Sequence, residues 1–344
     1  MNDMPAKALT RPRPHFRRDP RPDIYRLPAG KRLGSILAAA CDSVGHLWLL
    51  HQPGADLPPD DTVAPVVEFD RNGGFVQAWG GAQSVPASAD GTVQWPDGHE
   101  NLEIDAEDTV WVFGYKPTDH AVLRFSRRGE LLMRIGERGK AGDDASRTHL
   151  NWGTTSAYHD VENHEVFLAD GYANHRIVAF DTRSGEFTRM WGAYGEDPAA
   201  QTDERSFSNP VHKILRGPNG NLFVADRIKN RVQEFALEPG GARFVREVVV
   251  APGSMMFGSC FDLAFSADGD WLFVADGTNN RVWIIEVADF SVRGWTGGYA
   301  DEEGDLNQPA VRGLIHRFCM TPSGDLLLCR PGAGLHRLIY QGVS

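Results

Sequence analysis

The stretches Val166–Phe180 (VFLADGYANHRIVAF), Asn221–Phe235 (NLFVADRIKNRVQEF) and Trp271–Ile285 (WLFVADGTNNRVWII) are three versions of one phrase. Each is an apolar run ending in Ala-Asp, a polar turn, then Arg and a second apolar run. The arginines Arg176, Arg231 and Arg281, with Arg337 in the weaker copy LHRLIYQ, lie 55, 50 and 56 residues apart by subtraction. Another strand-like run precedes each phrase across a turn of the SADGD or GPNGN type, and a further run ending in Trp or Gly follows it. Each unit is therefore about four short strands joined by tight turns.

The first half of the chain repeats this plan less cleanly, which makes six units, at roughly 34–80, 100–136, 154–192, 210–250, 258–297 and 313–340. Four-stranded units at this period predict an all-β, six-bladed β-propeller, in which radial repetition leaves only short edges. The last unit stops after three strands, at Ile339-Tyr340. DIYRL (Asp23–Leu27) is expected to supply its fourth strand and close the ring. That leaves 1–22 as a flexible tail and 23–344 as one propeller domain.

Within the phrase, Asp at a turn accepts backbone N–H groups, and Arg in the next strand reaches that carboxylate with a fork that lysine lacks. Asp170, Asp226 and Asp276 are thus structural. The residues after them change from Gly-Tyr to Arg-Ile to Gly-Thr. They lie at strand ends near the channel mouth, where sites are built.

The chain carries a net charge of −11 with a pI near 5.5, which disfavours a nucleic-acid partner. No run approaches the length of a membrane span. The basic, proline-rich N-terminus has no apolar segment behind its arginines. Cys41, Cys260, Cys319 and Cys329 show no CxxC spacing, and three of them sit in apolar runs as small hydrophobes. A reduced, cytoplasmic protein is the expectation.

Aligning the units on the phrase brings histidines into register. Ten residues separate His212 from Phe-Val-Ala-Asp and His316 from Leu-Leu-Cys-Arg, and eleven separate His99 from Trp-Val-Phe-Gly. The same place holds Leu37, Ser156 and Phe261 in blades one, three and five. Alternate blades of a six-bladed ring are about 120° apart, so His99, His212 and His316 are predicted to converge on the axis as an open zinc site.

DGYANHRIVAF (Asp170–Phe180) and VADRIKNRVQEF (Val224–Phe235) resemble segments of NHL-repeat propellers. Within that class they are most similar to the zinc enzyme peptidyl-α-hydroxyglycine α-amidating lyase. The resemblance implies Tyr172 as a catalytic tyrosine, Arg227 as an active-site arginine, and His99, His212 and His316 as zinc ligands. Two departures stand out. Gln52 occupies the place where the family has an essential arginine after its blade-one histidine. Arg317 follows the last histidine where the family has a calcium-binding aspartate, so calcium is not expected and the guanidinium could stand in for it.

These readings predict a metal-dependent lyase acting on a small hydroxylated substrate. Zinc would polarise a hydroxyl or carbonyl, Tyr172 would act as base with help from the metal or Arg227, and Arg227 would hold a carboxylate or oxyanion. His51, Gln52, Tyr115 and Arg317 would line the pocket. A metal-assisted hydrolase such as a lactonase, and a non-catalytic binding propeller, are the alternatives. The long loops 136–153 and 192–210 offer Asn151, Trp152 and Phe207 as lid residues, and Met255–Phe261 reads as inner-strand core.

Overall fold

Runs such as Val-Phe-Leu-Ala and Leu-Phe-Val-Ala are apolar at every position and rich in β-formers, so the strands they form must be covered on both faces. A computed structural model describes residues 12–19, 24–54, 58–87, 89–297 and 314–344. It contains six four-stranded antiparallel sheets arranged as a six-bladed β-propeller. The three runs are the second strands of blades three, four and five (Glu165–Asp170, Leu222–Asp226 and Trp271–Asp276), and every residue in them is buried.

The innermost strands are β2 (Ser35–Cys41), β6 (His99–Ile104), β10 (Thr154–Asp160), β14 (Val211–Arg216), β18 (Asp262–Phe265) and β22 (Arg317–Met320). Each packs against the next around the channel, and β22 returns to β2. The core is divided among the spaces between blades. Phe167 and Trp191 of blade three, for example, pack with Ile214, Leu222 and Val224 of blade four.

An N-terminal strand closes the ring, but not the one expected. Blade six contains β22, β23 (Leu326–Arg330), β24 (Gly334–Val343) and β1 (Pro14–Arg18), with β1 antiparallel to β24. Phe16 pairs with Tyr340 and is buried, its ring 5.5 Å from Phe273 of blade five. That anchor explains why Pro14–Arg18, placed in the tail by sequence, is the closing strand. Asp23 lies outside the described residues. Ile24, Tyr25 and Leu27 instead pack on the apolar cluster shared by blades one and six, where Tyr25 meets Phe69 at 5.0 Å, and Arg26 makes one parallel bridge to Gly74.

Two further expectations change. Phe207 is core rather than lid, at 1% exposure. Met255, Met256 and Phe257 are exposed, and the buried part of that segment begins only at Gly258 and runs to Phe261. Among the described residues no helix is long and apolar enough to cross a membrane.

Candidate metal centre

Four of the inner strands, β2, β6, β10 and β14, carry a bulge near their start. In β6 the ladder passes from His99↔Gly114 to Asn101↔Phe113 and skips Glu100. In β14 it passes from Val211↔Asp226 to Lys213↔Ala225 and skips His212. The skipped residues of β2 and β10 are Leu37 and Thr155. Thr155, not Ser156, therefore holds the blade-three place, because the following hairpin of that blade is one residue longer. A bulge takes a residue out of the ladder and re-aims its side chain.

Three alternate blades do converge, with one substitution in the set. Ligand-type atoms of Glu100, His212 and His316 all lie within 4.8 Å of one another. His99 is not among them. Its Nε2–H donates to the His51 carbonyl at 3.0 Å, and Nδ1 accepts the Trp95 indole N–H at 3.4 Å, which turns the ring back between blades one and two. The sequence signal was present: ten residues separate Glu100 from Trp-Val-Phe-Gly, against eleven for His99.

Both convergent imidazoles are presented as ligands. His212 Nδ1–H donates to the Phe261 carbonyl at 2.5 Å, and His316 Nδ1–H donates to the Leu37 carbonyl at 3.2 Å. Such outer hydrogen bonds fix the tautomer and leave Nε2 with a free lone pair. His212 Nε2 and Glu100 Oε1 are 4.0 Å apart, buried, and without hydrogen-bond partners among the described residues. Burial, then the Arg317 charge, pulls the His316 pKa down to about 3 and that of His212 well down, so both rings are neutral at pH 7. Burial pushes Glu100 up, while Arg317 and Arg227 draw it back.

Two other clusters have metal-like composition, Asp42/His46/Glu68 and Asp105/Glu107/His159. An arginine already neutralises each: Arg127 bridges Asp42 and Glu68, and Arg124 lies 3.3 Å from Asp105. Their carboxylates also accept from Trp48 and Trp111. These are turn networks with no orphaned buried atom among the described residues. In the axial cluster, by contrast, His212 Nε2 and Glu100 Oε1 have no hydrogen-bond partner there, although Arg317 Nη2 stands 3.5 Å from Glu100 Oε1.

Tyr172 and Arg227 sit together beside the axial cluster. Arg227 Nη1 donates to the Tyr172 hydroxyl at 3.5 Å, and the Tyr172 and His212 rings are 6.4 Å apart. Gly153, in the left-handed region at φ +76°, lets its loop come so near that a Cβ would fall 2.4 Å from Tyr172 Cβ. Gly258 does the same for Arg227, whose carbonyl oxygen would lie 2.1 Å from an added Cβ. Trp152 of the expected lid stacks on Tyr172 at 5.7 Å, and Asn151 bonds Asn174. Burial and the Glu100 carboxylate push the Tyr172 pKa above its ordinary value, and Arg227 opposes them.

The remaining expected pocket residues scatter. Arg317 is fully buried, donating to the His212 and Thr155 carbonyls at 3.0 Å each, with Nη2 3.5 Å from Glu100 Oε1. It ties blades three, four and six together rather than lining an opening. His51 uses both ring nitrogens, accepting from Gly34 N–H and donating to the Ala64 carbonyl, each at 3.1 Å. It is structural. Gln52 ends its strand exposed. Tyr115 is half-buried with the Lys116 ammonium 4.7 Å over its ring.

With this geometry the relatives can be read. The chain is a relative of the NHL-repeat propellers. It is 26% identical over 262 residues to NHL repeat-containing protein 3 of Mus musculus, covering 73% of this chain and 65% of that protein. It is 29% identical over 248 residues to the Mus musculus peptidyl-glycine alpha-amidating monooxygenase, covering 66% of this chain but 22% of that protein. Peptidyl-alpha-hydroxyglycine alpha-amidating lyase 1 of Drosophila melanogaster is 28% identical, covering 61% of this chain and 39% of the lyase. The chain thus spans about two thirds of the first relative and well under half of the amidating proteins. No family model matches it. A streptogramin B lyase structure shares the fold at a TM-score of 0.53 and 10% identity, covering 97% of this chain and 99% of that one. A Myceliophteria thermophila β-propeller domain does so at 0.53 and 12%, covering 90% and 96%.

Proposed function

We propose that this propeller is a metal-dependent lyase acting on a small hydroxylated substrate at the channel mouth. The observation that carries the reading is the pair of buried, orphaned ligand atoms, His212 Nε2 and Glu100 Oε1, beside His316 and next to Tyr172 and Arg227. Two neutral imidazoles and a carboxylate suit zinc, as an open site with room for substrate. Glu100, His212 and His316 would hold it, replacing the three histidines expected from sequence. Bound there, zinc would polarise a substrate hydroxyl or carbonyl and lower its pKa.

The chain's own residues supply the rest. Arg227 binds a carboxylate or developing oxyanion on the substrate. Tyr172 Oη takes the substrate's hydroxyl proton. As C=O forms, the bond from that carbon to the leaving group breaks, and the leaving group gains a proton. Tyr172 becomes a competent base only when positive charge offsets its burial and then the Glu100 carboxylate, which together raise its pKa. Trp152 covers the Tyr172 ring and limits water. This reading gives calcium no part, because the buried Arg317 guanidinium would repel it beside His316.

The relationship to the amidating lyases supports this reaction class, while the exposed Gln52 leaves a carboxylate-bearing substrate without the partner the family uses. A second reading has its own support. Arg317, 3.5 Å from Glu100, already offers a resident cation, which supports a non-catalytic, metal-free binding propeller.

Metal analysis of the purified protein decides between them. We expect roughly one equivalent of transition metal, lost in Glu100→Ala and His212→Ala but retained in His99→Asn. Less than about a tenth of an equivalent, with no uptake of added zinc, rejects the metal reading. Tyr172→Phe should abolish turnover at unchanged metal content. Incorporation of solvent oxygen into product would replace the lyase by a hydrolase.

A further inference from the structure

Cys41 ends β2 in blade one, and Cys319 is the third residue of β22 in blade six. Their sulfurs are 3.7 Å apart, although 278 positions separate them in sequence. These inner strands are adjacent at the seam where the ring closes. Both cysteines are half-buried, in contrast to the fully buried Cys260 and Cys329. Both also line a cavity of about 330 Å³ formed by the later residues of the inner strands. Since Glu100 and His212 stand at the starts of their strands, this cavity is at the opposite end of the channel from the metal centre.

We propose that Cys41 and Cys319 are an oxidisable dithiol, whose disulfide staples blade six to blade one. Blade six is assembled from both chain ends, and β1 joins β24 by strand pairing rather than by a covalent bond. A bond between Cys41 and Cys319 would close nearly the whole propeller into one covalent loop, which constrains the unfolded chain most when the loop is long. The sulfurs, 3.7 Å apart on adjacent strands, need to close by less than about 2 Å to reach the ~2.0 Å of a disulfide bond.

The chemistry balances with a peroxide as the two-electron oxidant. Either sulfur can donate in the 3.7 Å contact, so either can be the attacking group. With Cys41 in that role, its thiolate attacks one peroxide oxygen and breaks the O–O bond, giving a sulfenic acid and hydroxide, which takes up the displaced proton as water. Cys319 sulfur then displaces the sulfenic hydroxyl as a second water and forms the S–S bond. Two thiols and one hydrogen peroxide become one disulfide and two waters.

The test treats the full chain with hydrogen peroxide, then counts thiols after denaturation. We expect the titre to fall from the four cysteines of the sequence by one pair, with a non-reduced peptide map joining the Cys41 and Cys319 peptides. Thermal unfolding should move to higher temperature and return on reduction. Cys319→Ser should abolish both changes, whereas Cys260→Ser should leave the cross-link intact. Four surviving thiols, a cross-link between two chains, or a Cys41 oxidised to the sulfinic acid without a partner would each overturn the proposal.

Discussion

Replacing Asp170 by alanine tests whether the repeated Asp–Arg pair holds the blades. Asp170 and Arg176 are both fully buried, and Arg176 Nε donates to the carboxylate at 2.9 Å. The same carboxylate accepts from Asn174 Nδ2 at 2.9 Å and from the Asn151 backbone at 3.2 Å. Arg176 also donates to the carbonyls of Asp144, Ser146 and His149, and so stitches the loop beneath Trp152. Without Asp170 the guanidinium keeps those carbonyls but loses its counter-charge in the interior. Leaving a buried charge unpaired costs about 3–5 kcal/mol. Over 344 residues the unfolding entropy is about 0.7 kcal/mol per kelvin, so Tm should fall by about 4–7 K by calorimetry. Adding Arg176→Leu removes the stranded charge, so the double variant should be less damaged than the sum of the two, with a coupling of about 2 kcal/mol. A fall in Tm below about 1 K for Asp170→Ala, or strict additivity of the pair, would refute the argument.

Two further outcomes follow from the fold. Phe16→Ala should cost about 3 kcal/mol, because it empties the contact of β1 with Phe273 and Tyr340; unchanged denaturant unfolding would mean that Pro14–Arg18 does not close the ring. Burial, above all, draws the His51 pKa down to about 4 from 6.5. The unfolded chain therefore takes up this proton first, so the His51 contribution is full above pH 6.5, is lost as pH falls toward 4 and levels below it, at about 3 kcal/mol for this one group. His51→Asn should flatten that decline in chemical denaturation series; an identical pH slope would show that His51 is not responsible.

Blade number, strand count and approximate boundaries were all legible in the chain, because a repeat cannot bury its apolar faces alone and must write the same pattern each time. The Asp–Arg logic was legible too, and holds for Asp170–Arg176 and Asp226–Arg231. Blade five departs from it: Asp276 accepts the Trp283 indole at 2.8 Å, and Arg281 lies 4.5 Å over Trp295. Nothing local to the Arg-Val-Trp run announces that exchange, since the stacking partner comes from the next strand of the blade.

What only the tertiary structure decided is direction. Sequence put a histidine at a strand start in blade two, but the bulge between His99 and Asn101 determines that the next residue, Glu100, faces the axis. One residue of slip moves a side chain to the other side of a strand, so a spacing of eleven instead of ten exchanges an imidazole for a carboxylate. The closing strand was misplaced for a related reason. Asp23–Leu27 and Pro14–Arg18 are both short extended segments, and only a pocket waiting between Phe273 and Tyr340 selects the one that carries Phe16. The approach of Cys41 to Cys319 is likewise a product of ring closure, which brings together residues from opposite ends of the chain. Periodicity is local and can be read along a sequence; convergence on an axis is a property of all six blades at once.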